Sequence, residues 1–252
     1  MTDVSTIFPM AVITIVFAGA LWIGVLWASS GRTWRYVALV PLGLPLSALV
    51  NLLVKGPLAS GVGELAGIGS GLGLGAPVWF LVFLFLLSPV FEELIKVAPL
   101  FIPWARRRAS TVPDAFWAGL ALGIGFGLGE AAYLAWQIAA AGVYEIYPWY
   151  AFTGFLFERT IVVFIHGFMT MLFTRMIACG RPITGFLMAA GAHAVVNSAA
   201  MLYQLELIPG TLASLWTVLL LIVALVVFGR IRLQPPKLGA PDADYYSSEE
   251  PL

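Results

Sequence analysis

Apolar positions gather into seven long runs along this chain, near residues 8–29, 36–54, 77–103, 114–141, 151–178, 183–204 and 210–229. A helix needs about 20 mainly apolar residues to cross a bilayer core, and each run is close to that length or longer. The runs are continuous, unlike the roughly ten-residue alternating strands of an outer-membrane barrel. They predict an all-α polytopic membrane bundle of about seven transmembrane helices. One transmembrane domain is expected over 1–230, with its active core in 77–204. The segment 231–252 is proline-rich, then acidic. It buries too little apolar surface to fold alone and reads as a disordered cytoplasmic tail.

The polar interruptions of that pattern carry the chemistry. Glu92, Glu93 and Lys96 break the third run, Glu130 the fourth, Arg159 and His166 the fifth, and His193 and Asn197 the sixth. A charge at the centre of a membrane helix costs roughly 2.5–3.5 kcal/mol on insertion scales, so five facing lipid would cost roughly 12–17 kcal/mol. These groups are therefore expected to face one another across one wet or protein-lined cavity. Lys96 follows Glu92 by four residues and Glu93 by three, so either carboxylate reaches it on the helix surface. One carboxylate can be held ionised by the ammonium while the other stays free. Adjacent carboxylates in low dielectric also separate into acid and base roles. Arg159, His166 and Thr170 share one helical stripe, and His193 stacks with Asn197.

Composition and charge narrow the class further. The chain has 252 residues, of which 61% are hydrophobic and 10% charged, whereas a soluble domain carries about a quarter charged residues. Net charge is zero and basic residues are few, which gives nucleic-acid binding no footing. The loops after the first, third and fifth runs hold Arg32, Arg35, Arg106, Arg107, Arg108, Arg175 and Arg181, and the tail region adds Arg230, Arg232 and Lys237. The opposite side holds only Lys55. The positive-inside rule then puts the N-terminus outside and the C-terminus in the cytoplasm. The start, MTDVSTIF, has no basic residue and reads as the beginning of a retained first helix rather than a cleaved signal. The single Cys179 has no partner for an internal disulfide and suggests packing rather than metal binding.

Two glycine-rich stretches matter. KGPLASGVGELAGIGSGLGLGAP, between the second and third runs, reads as a mobile external loop, either a plain linker or a gate over the site. Gly119, Gly123 and Gly127 form one ridge of the fourth helix, and Gly125 and Gly129 a second. Small residues four apart let membrane helices approach closely, which presses this helix into the bundle.

Three chemistries suit carboxylates and histidines in a membrane cavity. A glutamate could activate water for peptide hydrolysis, with His and Asn donors stabilising the oxyanion. Glu and His could bind zinc, although no HExxH is present. The groups could also relay protons or cations in a transporter, a reading that unwound helices and an internal repeat would support.

Taken in order, Glu92-Glu93 with Lys96, Phe126-x-x-x-Glu130, Arg159 with His166, and His193-x-x-x-Asn197 resemble the motifs of the PrsW-type membrane endopeptidases. These belong to the superfamily of CAAX prenyl endopeptidases and bacteriocin-processing proteins. The stretch around GIGFGLGE and the ERT segment is also similar to the YhfC-type sister group. Ala131 stands where PrsW-type proteins usually carry Asn. The resemblance covers about residues 85–200. It implies a multi-pass protease of the cell membrane, of the prokaryotic plasma membrane, cutting a membrane-protein helix or juxtamembrane peptide. It implies Glu92 as base, Glu130 as its partner, and His193 with Asn197 as oxyanion stabilisers, with Glu93 paired to Lys96. Which of Glu92 and Glu93 is free stays open, as does zinc. The same superfamily fold resembles the non-catalytic scaffold subunit of gamma-secretase, so a scaffold that binds a client helix is the alternative.

Overall fold

The computed structural model describes residues 7–68, 76–141 and 148–233. Seven helices long and apolar enough to cross a membrane follow one another: α1 Ile7–Ser29, α2 Trp34–Leu65, α3 Val78–Phe101, α4 Val112–Ala140, α5 Tyr150–Ala178, α6 Pro182–Gln204 and α7 Gly210–Leu233. No strand occurs among the described residues. The protein is a multi-pass, all-helical membrane protein. α7 continues to Leu233, three residues into the segment expected to be tail, and residues 234–252 lie outside the described part.

α4 and α5 form the axis of the bundle, buried in protein over 72% and 78% of their most apolar stretch, against 11% for α7. The two glycine ridges of α4 explain its position. On one side, a Cβ at Gly123 would stand 2.3 Å from the carbonyl oxygen of His166, and one at Gly127 would stand 2.7 Å from the Cα of Val163. On the other, Cβ atoms at Gly125 and Gly129 would meet the carbonyl oxygens of Val40 and Leu44 at 2.1 and 1.9 Å. Only glycine lets α5 and α2 lie against the α4 backbone from both sides. α1 closes the back of this core, where Trp22 Nε1 donates to the Thr160 carbonyl at 2.7 Å.

α2 and α3 are less regular. α2 passes through a π turn at Asn51–Lys55, where the Gly56 N–H reaches back five residues to the Asn51 carbonyl. α3 has a π turn at Ser88–Glu92 and ends in a 3-10 turn at Ala98–Phe101. Prolines sit beside each irregularity, at positions 57, 89 and 99. A proline inside a helix lacks the N–H donor and crowds the carbonyl four residues back, and a widened or tightened turn relieves this.

Two expectations change here. The segment from Lys55 to Leu65 is helix rather than loop, because α2 continues past its apolar run as Gly56–Leu65; positions 69–75 lie outside the described residues. Lys55 is accordingly not an outer loop residue. Its side chain turns into the bundle and pairs with Glu92.

At the opposite end, Tyr36 Oη donates to Asp114 at 2.6 Å, and Arg35 donates to Asp114 and to the Arg107 carbonyl, each at 3.2 Å. These bonds tie the start of α2 to the start of α4 and to the α3–α4 connection. That end carries the basic loop residues, the end the charge pattern assigns to the cytoplasm.

Candidate functional site

The polar residues of α2 to α6 converge within the membrane-spanning part of the bundle. Each of the three inner carboxylates has its own cation. Lys55 Nζ lies 2.5 Å from Glu92 Oε1, Lys96 Nζ lies 2.6 Å from Glu93 Oε1, and Arg159 Nη1 lies 3.2 Å from Glu130 Oε2. Glu92, Glu93 and Lys96 are almost fully buried. Unpaired charges there would each cost several kcal/mol; three matched pairs leave the inner cluster neutral. Arg159 also donates to Glu158 at 2.6 Å, on the half-exposed rim.

Lys96 makes two hydrogen bonds and a cation–π contact. One goes to Glu93, one to His166 Nδ1 at 2.8 Å, and the ammonium stands over the Phe126 ring, 4.5 Å from its centroid. Phe126 therefore belongs to the site as a cation–π partner. An ammonium only donates, so His166 Nδ1 is the acceptor and its proton sits on Nε2. That Nε2–H faces Glu130 Oε2 at 2.9 Å. His166 is thus a neutral imidazole held between Lys96 and Glu130.

His193 is set the other way round. Its Nδ1 donates to Glu93 Oε1 at 2.7 Å, leaving Nε2 as the ring's free position. Nε2 faces Glu92 Oε2 across 3.8 Å. Glu92 Oε2 and Glu93 Oε2 are both buried with no hydrogen-bond partner among the described residues. The histidine rings stand edge to face, 5.5 Å between centroids.

A cavity of about 340 Å³ adjoins this cluster between α5, α6 and α7. Glu130, Arg159, His166 and Asn197 line its polar wall; the rest mixes bulky side chains such as Phe157, Met169 and Tyr203 with small ones such as Gly154, Ala200 and Gly210. Glu92, Glu93 and His193 do not line it, but an oxygen of Glu92 lies within 4.8 Å of a His166 nitrogen. Glu92 and His193 thus lie one side chain behind the wall. Gly154, Tyr203 and Gly210 sit at the ends of α5, α6 and α7 that the charge pattern places outside, so the cavity extends to that end of the bundle.

Every residue expected at the site is found in or beside it, with two refinements. Asn197 lines the cavity without joining the network, and Thr170 donates to the His166 carbonyl of its own helix at 2.9 Å. Lys55 is a site residue that the sequence does not mark: a lone lysine at the edge of an apolar run looks the same in an outer loop as in a buried ion pair.

Glu92, His166 and His193 could hold a metal ion, their ligand atoms lying within 4.8 Å of one another. Two histidines and a carboxylate with an open position are a ligand set of catalytic zinc. Two ligands on one zinc stand at most about 4.2 Å apart, so the set would have to draw in. His166 would also have to release Lys96 or Glu130.

Comparison with protein-family models, with curated proteins and with solved structures gives no match. The likeness to PrsW-type endopeptidases rests on the four short motifs alone.

Proposed function

We propose that this protein is an intramembrane endopeptidase of the cell membrane that hydrolyses membrane-protein substrates with a glutamate-activated water. The observation that carries the reading is the facing pair of Glu92 Oε2 and His193 Nε2, 3.8 Å apart beside the cavity. With Nδ1 protonated toward Glu93, both facing atoms are acceptors. A water beside the pair, donating one O–H to each, would satisfy both acceptors. Glu92 is then the base, taking one water proton as the oxygen attacks the peptide carbonyl and passing it to the leaving amine. Glu93 is the poorer base, because its Oε1 already accepts from both Lys96 and His193.

The remaining residues orient and stabilise. Glu93 fixes the His193 ring, while Glu130 and Arg159 fix His166 at the wall. Asn197, one turn beyond His193 on α6, offers an uncommitted amide to the developing oxyanion. Gly154, Ala200, Gly210 and Ala213 leave room along the cavity wall for a peptide backbone to approach. If a metal is bound, Glu92, His166 and His193 hold it, and it supplies Lewis-acid activation of water.

The test is cleavage of a panel of membrane-helix substrates by purified protein in liposomes. Glu92→Gln should lower turnover by roughly 10²–10⁴-fold, the loss typical of removing a general base, with substrate binding retained. Undiminished cleavage by Glu92→Gln refutes this assignment. Substrate binding without cleavage by the native protein supports the scaffold reading instead.

A further inference from the structure

Lys55 belongs to none of the four motifs, yet it makes the shortest ion pair in the site, at 2.5 Å. Two widened turns bring the pair together. The π turn Asn51–Lys55 in α2 packs against the π turn Ser88–Glu92 in α3, and each ends in one member of the pair. A π turn takes one residue more than an α turn, which rotates the chain beyond it by about 100° relative to an unbroken helix. Straightening either turn would swing Lys55 or Glu92 off their shared seam. The ammonium occupies Glu92 Oε1 and leaves Oε2 toward His193. The same carboxylate belongs to the group that could hold a metal.

We propose that Lys55 is a positioning residue and the site's built-in counter-ion. It fixes which oxygen of Glu92 faces His193, and it takes the charge position that a divalent cation would otherwise fill. The first half rests on the reading of Glu92 as the base; the second stands without it. An ammonium on the metal-facing carboxylate repels an incoming dication, and at about 4 Å in a partly dry site that repulsion alters affinity by an order of magnitude or more.

The experiment needs no substrate. Cobalt(II) is titrated into the full-length protein in detergent and followed by its visible absorption, for the native chain, Lys55→Met, Lys55→Arg and the double variant Lys55→Met/Glu92→Gln. Lys55→Met should bind cobalt roughly tenfold tighter or more, Lys55→Arg should match the native chain, and Glu92→Gln should abolish the gain. In thermal unfolding without metal, Lys55→Met should lower the midpoint by roughly 6–20 °C, the effect of breaking a buried pair. Adding Glu92→Gln to it should lower the midpoint no further. A purely structural Lys55 would lower the midpoint and leave cobalt affinity unchanged, and that result overturns the proposal. Equal tightening in Lys55→Arg overturns it as well. Should Lys55→Met not fold, Lys55→Gln, which keeps a hydrogen-bond donor but loses the charge, must give the same gain. Absence of peptide cleavage by the native protein would count against the endopeptidase reading and leave these measurements intact.

Discussion

The central pair α4–α5 and the flanking pair α2–α3 bring charges into the same site by different means. α4 and, beyond an initial 3-10 turn, α5 are regular and largely enclosed in protein, whereas the most apolar stretches of α2 and α3 are only 33% and 28% buried. Glu130, Arg159 and His166 face inward from helices that are enclosed over most of their apolar length. α2 and α3 expose most of their surface, so Lys55, Glu92, Glu93 and Lys96 must be aimed individually. The π turns provide that aim. A regular helix built on glycine contacts therefore acts as the frame, and a helix interrupted beside prolines acts as the adjustable part. The proposed base and its counter-ion lie on the adjustable part, whereas Glu130, Arg159 and His166 of the cavity wall lie on the frame.

The sharpest way to test that contrast is to add bulk to glycines on each pair. Gly123→Leu would drive side-chain atoms into the α5 backbone at His166. Overpacking costs 1–3 kcal/mol when neighbours can yield; here the neighbour is backbone, and the expected outcome is loss of folded protein in detergent. Gly61→Ala in α2 meets nothing within 4 Å. It should leave the unfolding midpoint unchanged or raise it by the equivalent of up to about 1 kcal/mol. A well-folded Gly123→Leu protein would break the picture of α4 as a rigid frame.

A smaller effect is expected from unpairing charges. Glu93→Gln leaves Lys96 buried without its carboxylate, and thermal unfolding should register a loss of roughly 3–5 kcal/mol. Glu158→Gln, at the rim with a side chain 48% exposed, should cost under about 1 kcal/mol. Equal losses would mean that the inner network is far wetter than its burial implies.

Pro89→Ala should change stability least and aim most. It restores an N–H within the α3 π turn and favours a regular register. Stability should shift by less than about 1 kcal/mol, against the cost of about 3 kcal/mol usual for a proline within a helix, because the π turn already accommodates the ring. Substrate cleavage should nevertheless fall at least tenfold, as Glu92 rotates away from His193. Unchanged cleavage would show that the turn does not aim the carboxylate.

Much of this architecture was legible in the residues. Seven apolar runs specify seven helices because every backbone group in hydrocarbon must be bonded within its own segment. Isolated charges within those runs mark the site because lipid will not solvate them. The Glu93–Lys96 bond was also within reach, since it spans a single helical turn and depends on local geometry alone. The α4 glycine ridges announced close approach before any partner was known.

Partner choice across helices was not legible. Lys55 and Glu92 are 37 residues apart, and their meeting depends on the depth and rotation of two separate helices. Spacing rules assume 3.6 residues per turn throughout, and each π turn breaks that assumption just before the residue in question. For the same reason the sequence left Glu92 and Glu93 interchangeable, whereas the fold gives each its own cation and turns one free oxygen toward His193. The sequence by itself determined which charges had to be buried together. Only the tertiary structure decided which charge meets which, because in a membrane burial is dictated by composition and pairing by helix rotation.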